Sequence, residues 1–176
     1  MGAYYTYFIS SLPMLNFSTK LPFSLEEFFT KCKGLIPEER IELLRNVCYQ
    51  EPYLLNTTSA DALGKWANFE IALRNELVRL RARRKKIDPL KFVRLPDWPE
   101  AHISHLATAA YRSTSMLEAE KILDLERWSF LDSLSLGHYF DFDVLLIYAL
   151  KLKILERWDK IQKADKESLF NAAVLS

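Results

Sequence analysis

Apolar residues recur along this chain in steps of three and four, the period of a helix with one buried face. Between about Ala60 and Lys86, the residues Leu63, Trp66, Phe69, Leu73, Leu77 and Leu80 fall on one seam close to coiled-coil spacing. A shorter stripe of Ile41, Leu44, Val47 and Cys48 follows Pro37, which suits a first helical position. Ile122, Leu125, Trp128 and Leu131 make a third stripe. Two helices carry capping boxes, Ser24-Leu25-Glu26-Glu27 and Ser115-Met116-Leu117-Glu118, in which the serine oxygen takes an orphan backbone amide. A last helix is expected to cap at Asp141 and run to about Gln162, with the remainder fraying.

Other stretches bound these elements. Tyr4 to Ile9 has strand propensity, but no second strand is evident to pair with it, so a helix or a packed extended segment is expected. Asn56 to Ser59 is a loop with several cap candidates, and Ser133 to Gly137 is a helix end. Asp88-Pro89 ends the long helix, and the stretch through Phe92 and Trp98 is a candidate hinge. The pattern predicts an all-α fold of six to seven helices. A division into residues 1–90 and 91–176 gives two helical units, or the chain is one continuous domain.

Two segments 73 residues apart carry similar entrances to a helix. Leu63-Gly64-Lys65-Trp66 through Phe69-Glu70-Ile71 aligns with Leu136-Gly137-His138-Tyr139 through Phe142-Asp143-Val144, and six of 24 aligned residues are identical. If this is duplication, the helices beginning near Asn68 and Asp141 occupy equivalent places in two units, an architecture that usually binds other proteins.

Composition narrows the class. The 176 residues are 49% hydrophobic and 27% charged, as in a globular protein, and four glycines argue against a β-rich chain. A net charge of +1 gives no whole-molecule steering, so any electrostatic recognition must be local. Cys32 and Cys48 have no metal or redox spacing and are expected to be buried thiols. The most apolar window, Phe142 to Leu155, is interrupted by Asp143, Lys151 and Lys153 and is too short to span a membrane.

The candidate interaction patch is a basic run of Arg79, Arg81, Arg83, Arg84, Lys85 and Lys86, six cations in eight positions. Such a run suits phosphates, an anionic membrane surface or an acidic partner. Equally, a solvated helix end favours cations at the negative pole of its macrodipole. His138, Asp141 and Asp143, like His102 and His105, lack a third ligand at a recognisable spacing, so no metal is expected. Asp141 reads as a helix cap. Leu-Glu-Arg-Trp occurs at Leu125 to Trp128 and at Leu155 to Trp158, each reading as a helix-packing face. Neither a phosphate loop nor a nucleophile motif is present, so no catalytic residues, cofactor or enzyme activity are expected.

Three stretches resemble an uncharacterised family (domain of unknown function 2764) whose genes lie within bacterial V-type ATP synthase operons. They are Tyr4 to Pro13, Phe69 to Leu77, and Gly137 to Asp143 with Tyr148 to Trp158. That family is in turn similar to the C (or d) subunit of V/A-type rotary ATPases, an all-helical funnel between the membrane rotor ring and the central shaft. The resemblance implies a non-enzymatic subunit or accessory at the cytoplasmic face of the inner membrane. Its partners would be ring and shaft subunits, with peripheral membrane contact and the basic run as one docking patch. The alternatives are an assembly or regulatory factor of the same complex, or a helical nucleic-acid-binding domain using Arg79 to Lys86. Nucleic acid is the less favoured partner.

Overall fold

The computed structural model describes residues 5–50, 61–95, 97 and 101–174, with the side chains of the last helix described as far as residue 164. Among them are seven α-helices and no strand: α1 (Thr6–Ser11), α2 (Leu25–Cys32), α3 (Glu38–Tyr49), α4 (Ala62–Lys85), α5 (Ala101–Arg112), α6 (Met116–Leu134) and α7 (Phe142–Val174). A short 3-10 turn spans Pro89–Lys91. The all-α class expected from the periodicity is the class observed. Backbone contacts gather residues 1–48 with 135–176 into one unit and residues 49–134 into another. A boundary at residue 90 instead falls within the second of these units, between α4 and α5.

In the first unit, local signals start and stop the helices. Ser24 Oγ accepts from the Glu27 amide at 3.2 Å and opens α2, as its capping box predicts. The Pro37 carbonyl accepts from the Ile41 amide at 3.1 Å, so Pro37 stands one residue before α3. Asp141 Oδ1 accepts from the Val144 amide at 3.3 Å and caps α7. Gly137 precedes it at φ +87°, a left-handed conformation that side chains resist. The segment with strand propensity is the helix α1, and the Tyr5 amide just before it donates to the Phe140 carbonyl at 2.6 Å.

The core of this unit is aromatic and aliphatic. Phe28 lies 6.2 Å from Phe8, 5.8 Å from Phe29 and 5.4 Å from Tyr148, centroid to centroid. The Tyr148 hydroxyl donates to the Pro13 carbonyl at 3.0 Å, and burial raises its pKa well above the ordinary phenol range. Arg45 lies 4.5 Å from the Phe29 ring centre and pairs with Glu26 at 3.1 Å, joining α3 to α2. Cys32 and Cys48 are buried free thiols, as expected, and burial pushes both up to about 12. α7 continues to Val174, beyond the expected end near Gln162, because no glycine or proline interrupts the intervening sequence.

The second unit is a three-helix arrangement. Asp61 Oδ1 accepts from the Gly64 amide at 2.6 Å and begins α4; residues 56–59, the other cap candidates, lie outside the described residues. Phe130 of α6 stacks on Phe69 of α4 at 4.2 Å and lies 6.3 Å from Trp66, while Arg127, a turn earlier on α6, reaches Glu70. α6 therefore runs antiparallel to α4. The α5–α6 hairpin is closed by Ser115, whose Oγ caps Glu118 at 3.1 Å, and across it His102 meets Glu126 at 2.7 Å. α5 thus runs parallel to α4, and the hairpin turn sits at the C-terminal end of α4.

Two expectations change here. The buried face of α6 is Leu123, Asp124, Trp128 and Leu131, whereas Leu125 is exposed. The face turns because Arg127 points inward and bridges Asp124 on its own helix to Glu70 of α4, which an apolar stripe does not foresee. The two helix entrances also differ. Gly64 is buried inside the first turn of α4, while Gly137 lies in the turn before α7. The aligned segments therefore begin their helices at different points, and Asn68 is an interior residue of α4.

Candidate docking site at the end of the fourth helix

Two groups of arginines on and around α4 behave in opposite ways. The inner group is paired. Arg127 donates to Glu70 through Nε at 2.6 Å and Nη2 at 3.3 Å, and to Asp124 through Nη1 at 3.0 Å. Desolvation disfavours its charge, but Glu70 and Asp124 outweigh that and hold its pKa above the ordinary guanidinium value. Arg79 pairs with Glu76 at 2.5 Å and with Asp97, and Glu76 also accepts from Ser104 Oγ at 2.7 Å. The Asp97 hydrogen bond is the main reason that the Arg79 pKa is raised.

Asn75, fully buried, completes this cluster. Its Nδ2 donates to the Arg94 carbonyl at 2.8 Å and to Asp97 at 3.2 Å, and its Oδ1 accepts from the Arg94 amide at 2.9 Å. A single side-chain amide thus satisfies both backbone groups of Arg94, as a strand neighbour would. Arg74 adds a contact to the Phe92 carbonyl at 3.3 Å. The stretch expected as a hinge is therefore fastened to α4 between Phe92 and Asp97, while Trp98 lies outside the described residues.

The outer group is unpaired. Arg81, Arg83, Arg84, Lys85 and Lys86 are exposed, and among the described residues none forms an ion pair. Of the six cations in the predicted patch, Arg79 does not belong to this surface, because it turns inward to Glu76 and Asp97. Spacing explains the split. Arg79 lies three residues after Glu76 on the face toward α5, whereas the later cations follow the point where that acidic face ends.

The helix terminus does not need these cations as caps. The Ile87 amide donates to the Ala82 carbonyl at 3.1 Å and the Lys86 amide to the Arg83 carbonyl at 3.2 Å, the paired bonds of a Schellman end. Lys86 takes the left-handed position at φ 54°, ψ 40°, where glycine is the usual occupant. A charged side chain therefore stands at a strained position on the tip of the basic run.

The remaining candidates form no comparable site. His138 Nδ1 lies 2.5 Å from Asp141 and 3.6 Å from Asp143, which orders the entrance to α7. No group of three or more His, Cys, Asp or Glu side chains suited to a metal ion occurs among the described residues. His102 is paired with Glu126, and His105 is exposed. An open groove of ≈ 470 Å³ in the first unit is lined by Phe8, Pro13, Phe23 and Lys31 among others, without a convergent set of acids and bases. In the repeated tetrapeptide, Trp128 is buried and Leu155 is buried, while Trp158 meets Phe17 edge-on at 6.2 Å.

Residues 102–175 match the family described as Protein of unknown function (DUF2764), an uncharacterised family. The matched segment covers all of α5 but its first residue, and the whole of α6 and α7, and it contains the stretches Gly137 to Asp143 and Tyr148 to Trp158. α4 and its basic end precede it. No curated protein and no solved structure matches the chain. Among the described residues, no helix is long and apolar enough to cross a membrane.

Proposed function

We propose that this chain is a non-enzymatic helical subunit or accessory of a bacterial V-type ATPase, acting at the central stalk on the cytoplasmic face of the membrane. The observation that carries the reading is the contrast, among the described residues, between the paired inner cations, Arg79 of α4 and Arg127 of α6, and the unpaired outer cations at the end of α4. Pairing Arg79 and Arg127 with carboxylates braces the second unit, while five exposed cations are left for something outside it. A helical unit braced in this way, with one charged end, is suited to joining other subunits. The placement within a rotary ATPase rests on the resemblance of Gly137 to Asp143 and Tyr148 to Trp158, which the family match overlaps.

Affinity purification of the tagged chain from native membranes tests this. Ring and shaft subunits are expected to co-purify, and deletion of the gene is expected to uncouple or disassemble the complex. A fully assembled, coupled ATPase in the deletion strain contradicts the proposal. Presence at fixed stoichiometry in the finished motor marks a subunit, and presence only in intermediates marks an assembly factor.

A further inference from the structure

The chain immediately after α4 adds a second ingredient to its basic end. Ile87, Leu90, Phe92 and Leu95 are 45%, 76%, 50% and 84% exposed. They lie on a short connection fastened to α4 by Asn75 and Arg74, and so present exposed apolar side chains on a held backbone. Lys91 stands exposed among them. Between Leu77 and Pro96 the sequence holds eight lysines and arginines and one acid, Asp88, which is engaged as the cap of the 3-10 turn through the Leu90 amide at 3.0 Å. Met116, 84% exposed, stands at the same end of the unit on α6.

Solvated cations alone are accounted for by solubility, and one exposed leucine is ordinary. Their combination is not. We infer that the segment from Arg81 to Leu95 docks on an anionic lipid bilayer, with Leu90, Phe92 and Leu95 entering the headgroup region and Arg81, Arg83, Arg84, Lys85, Lys86 and Lys91 facing lipid phosphates. This deepens the docking reading above and rests on its premise that the basic end is a contact surface.

Three features favour a bilayer over an acidic protein. The exposed apolar side chains are spread over the nine residues from Ile87 to Leu95 with the exposed Lys91 between them, whereas a protein contact is built around a packed central cluster depleted of lysine. The cations are long, flexible chains that reach a phosphate layer while their stems cover apolar surface. The positive potential is local, on a chain of net charge +1, which matches a juxtaposed polybasic and apolar anchor.

The test is co-flotation of the purified full chain with vesicles of phosphatidylcholine alone or mixed with phosphatidylglycerol. Binding is expected to the mixed vesicles only and to weaken as salt is raised. Arg83→Gln with Arg84→Gln is expected to reduce it roughly fivefold per charge. Leu90→Ser with Leu95→Ser alters two exposed positions and is expected to reduce it by about tenfold or more at unchanged thermal stability. The lipid assignment is overturned by absence of binding to mixed vesicles, by undiminished binding of the double-leucine variant, or by capture of an acidic peptide or an oligonucleotide in preference to vesicles. Those outcomes leave co-purification with the ATPase untouched. Conversely, vesicle binding without co-purification removes the stalk reading and keeps the lipid surface.

Discussion

Arg79 and Arg83 stand one helical turn apart on α4, yet the first is held by Glu76 and Asp97 and the second faces solvent. The same residue type therefore does two jobs within a few ångströms along one helix. Where an arginine meets carboxylates in partly desolvated surroundings, removing it leaves buried charge behind, and the fold suffers. Where it meets only water, its loss leaves the fold nearly indifferent, and any effect must appear in binding. The second unit thus separates stabilising charge from available charge, and that separation, rather than the total of six cations, makes the end of α4 a candidate docking surface.

The largest expected effect is on the inner group. Arg127→Ala leaves Glu70 and Asp124 facing one another without their cation, and is expected to destabilise the protein by about 3–5 kcal/mol in chemical denaturation. A loss below about 1 kcal/mol would break the comparison at its strongest point. Asn75→Ala removes the bonds to both backbone groups of Arg94 and to Asp97, so a loss of roughly 2–3 kcal/mol is expected. Hydrogen exchange sharpens that result, because the connection from Phe92 to Arg94 should lose protection more than α6 does.

Smaller effects mark the outer group. Lys86→Gly relieves a left-handed lysine and is expected to stabilise by about 0.5–1 kcal/mol, the gain from strain being partly offset by unfolded-state entropy. Destabilisation would mean that the Lys86 side chain packs productively. Replacing Arg81, Arg83 and Arg84 together by alanine is expected to change stability by less than about 0.5 kcal/mol per site.

The buried thiols supply a control on the first unit. Burial raises the pKa of Cys32 and Cys48 from 9.0 to about 12, so the folded state resists ionisation that the unfolded state allows. Their contribution is fully present below about 9 and is lost as pH rises towards 12, where unfolding should become progressively easier. Thiol alkylation near neutral pH is expected to track unfolding, and rapid modification of the native protein would contradict the burial.

What was legible in the sequence was local. Ser24 and Ser115 cap their helices because a serine three residues before a glutamate places its oxygen beside an orphan amide whatever the rest of the fold does. The long helix was visible from Leu63 to Leu80 because its apolar steps are regular, and it forms as α4 within two residues at each end. The basic run was visible as composition. Its division was not, since Arg79 finds Asp97 only when the connection folds back along α4, and Arg127 reaches Glu70 across 57 residues. The register of α6 was missed for the same reason: charged side chains occupy part of its buried face once partners are supplied from α4. The paired helix entrances misled because a glycine followed by an aromatic occurs both inside a first turn, at Gly64, and in a left-handed turn, at Gly137.

The most direct test asks whether the outer cations serve a contact while the inner ones serve the fold. Tagged wild-type chain and the Arg81→Ala, Arg83→Ala, Arg84→Ala variant, matched in thermal stability, are compared for retention of rotary ATPase subunits from native membranes. Retention by the wild type and its loss in the equally stable variant is the predicted result. Equal retention by both would contradict the assignment of the α4 end as the docking surface.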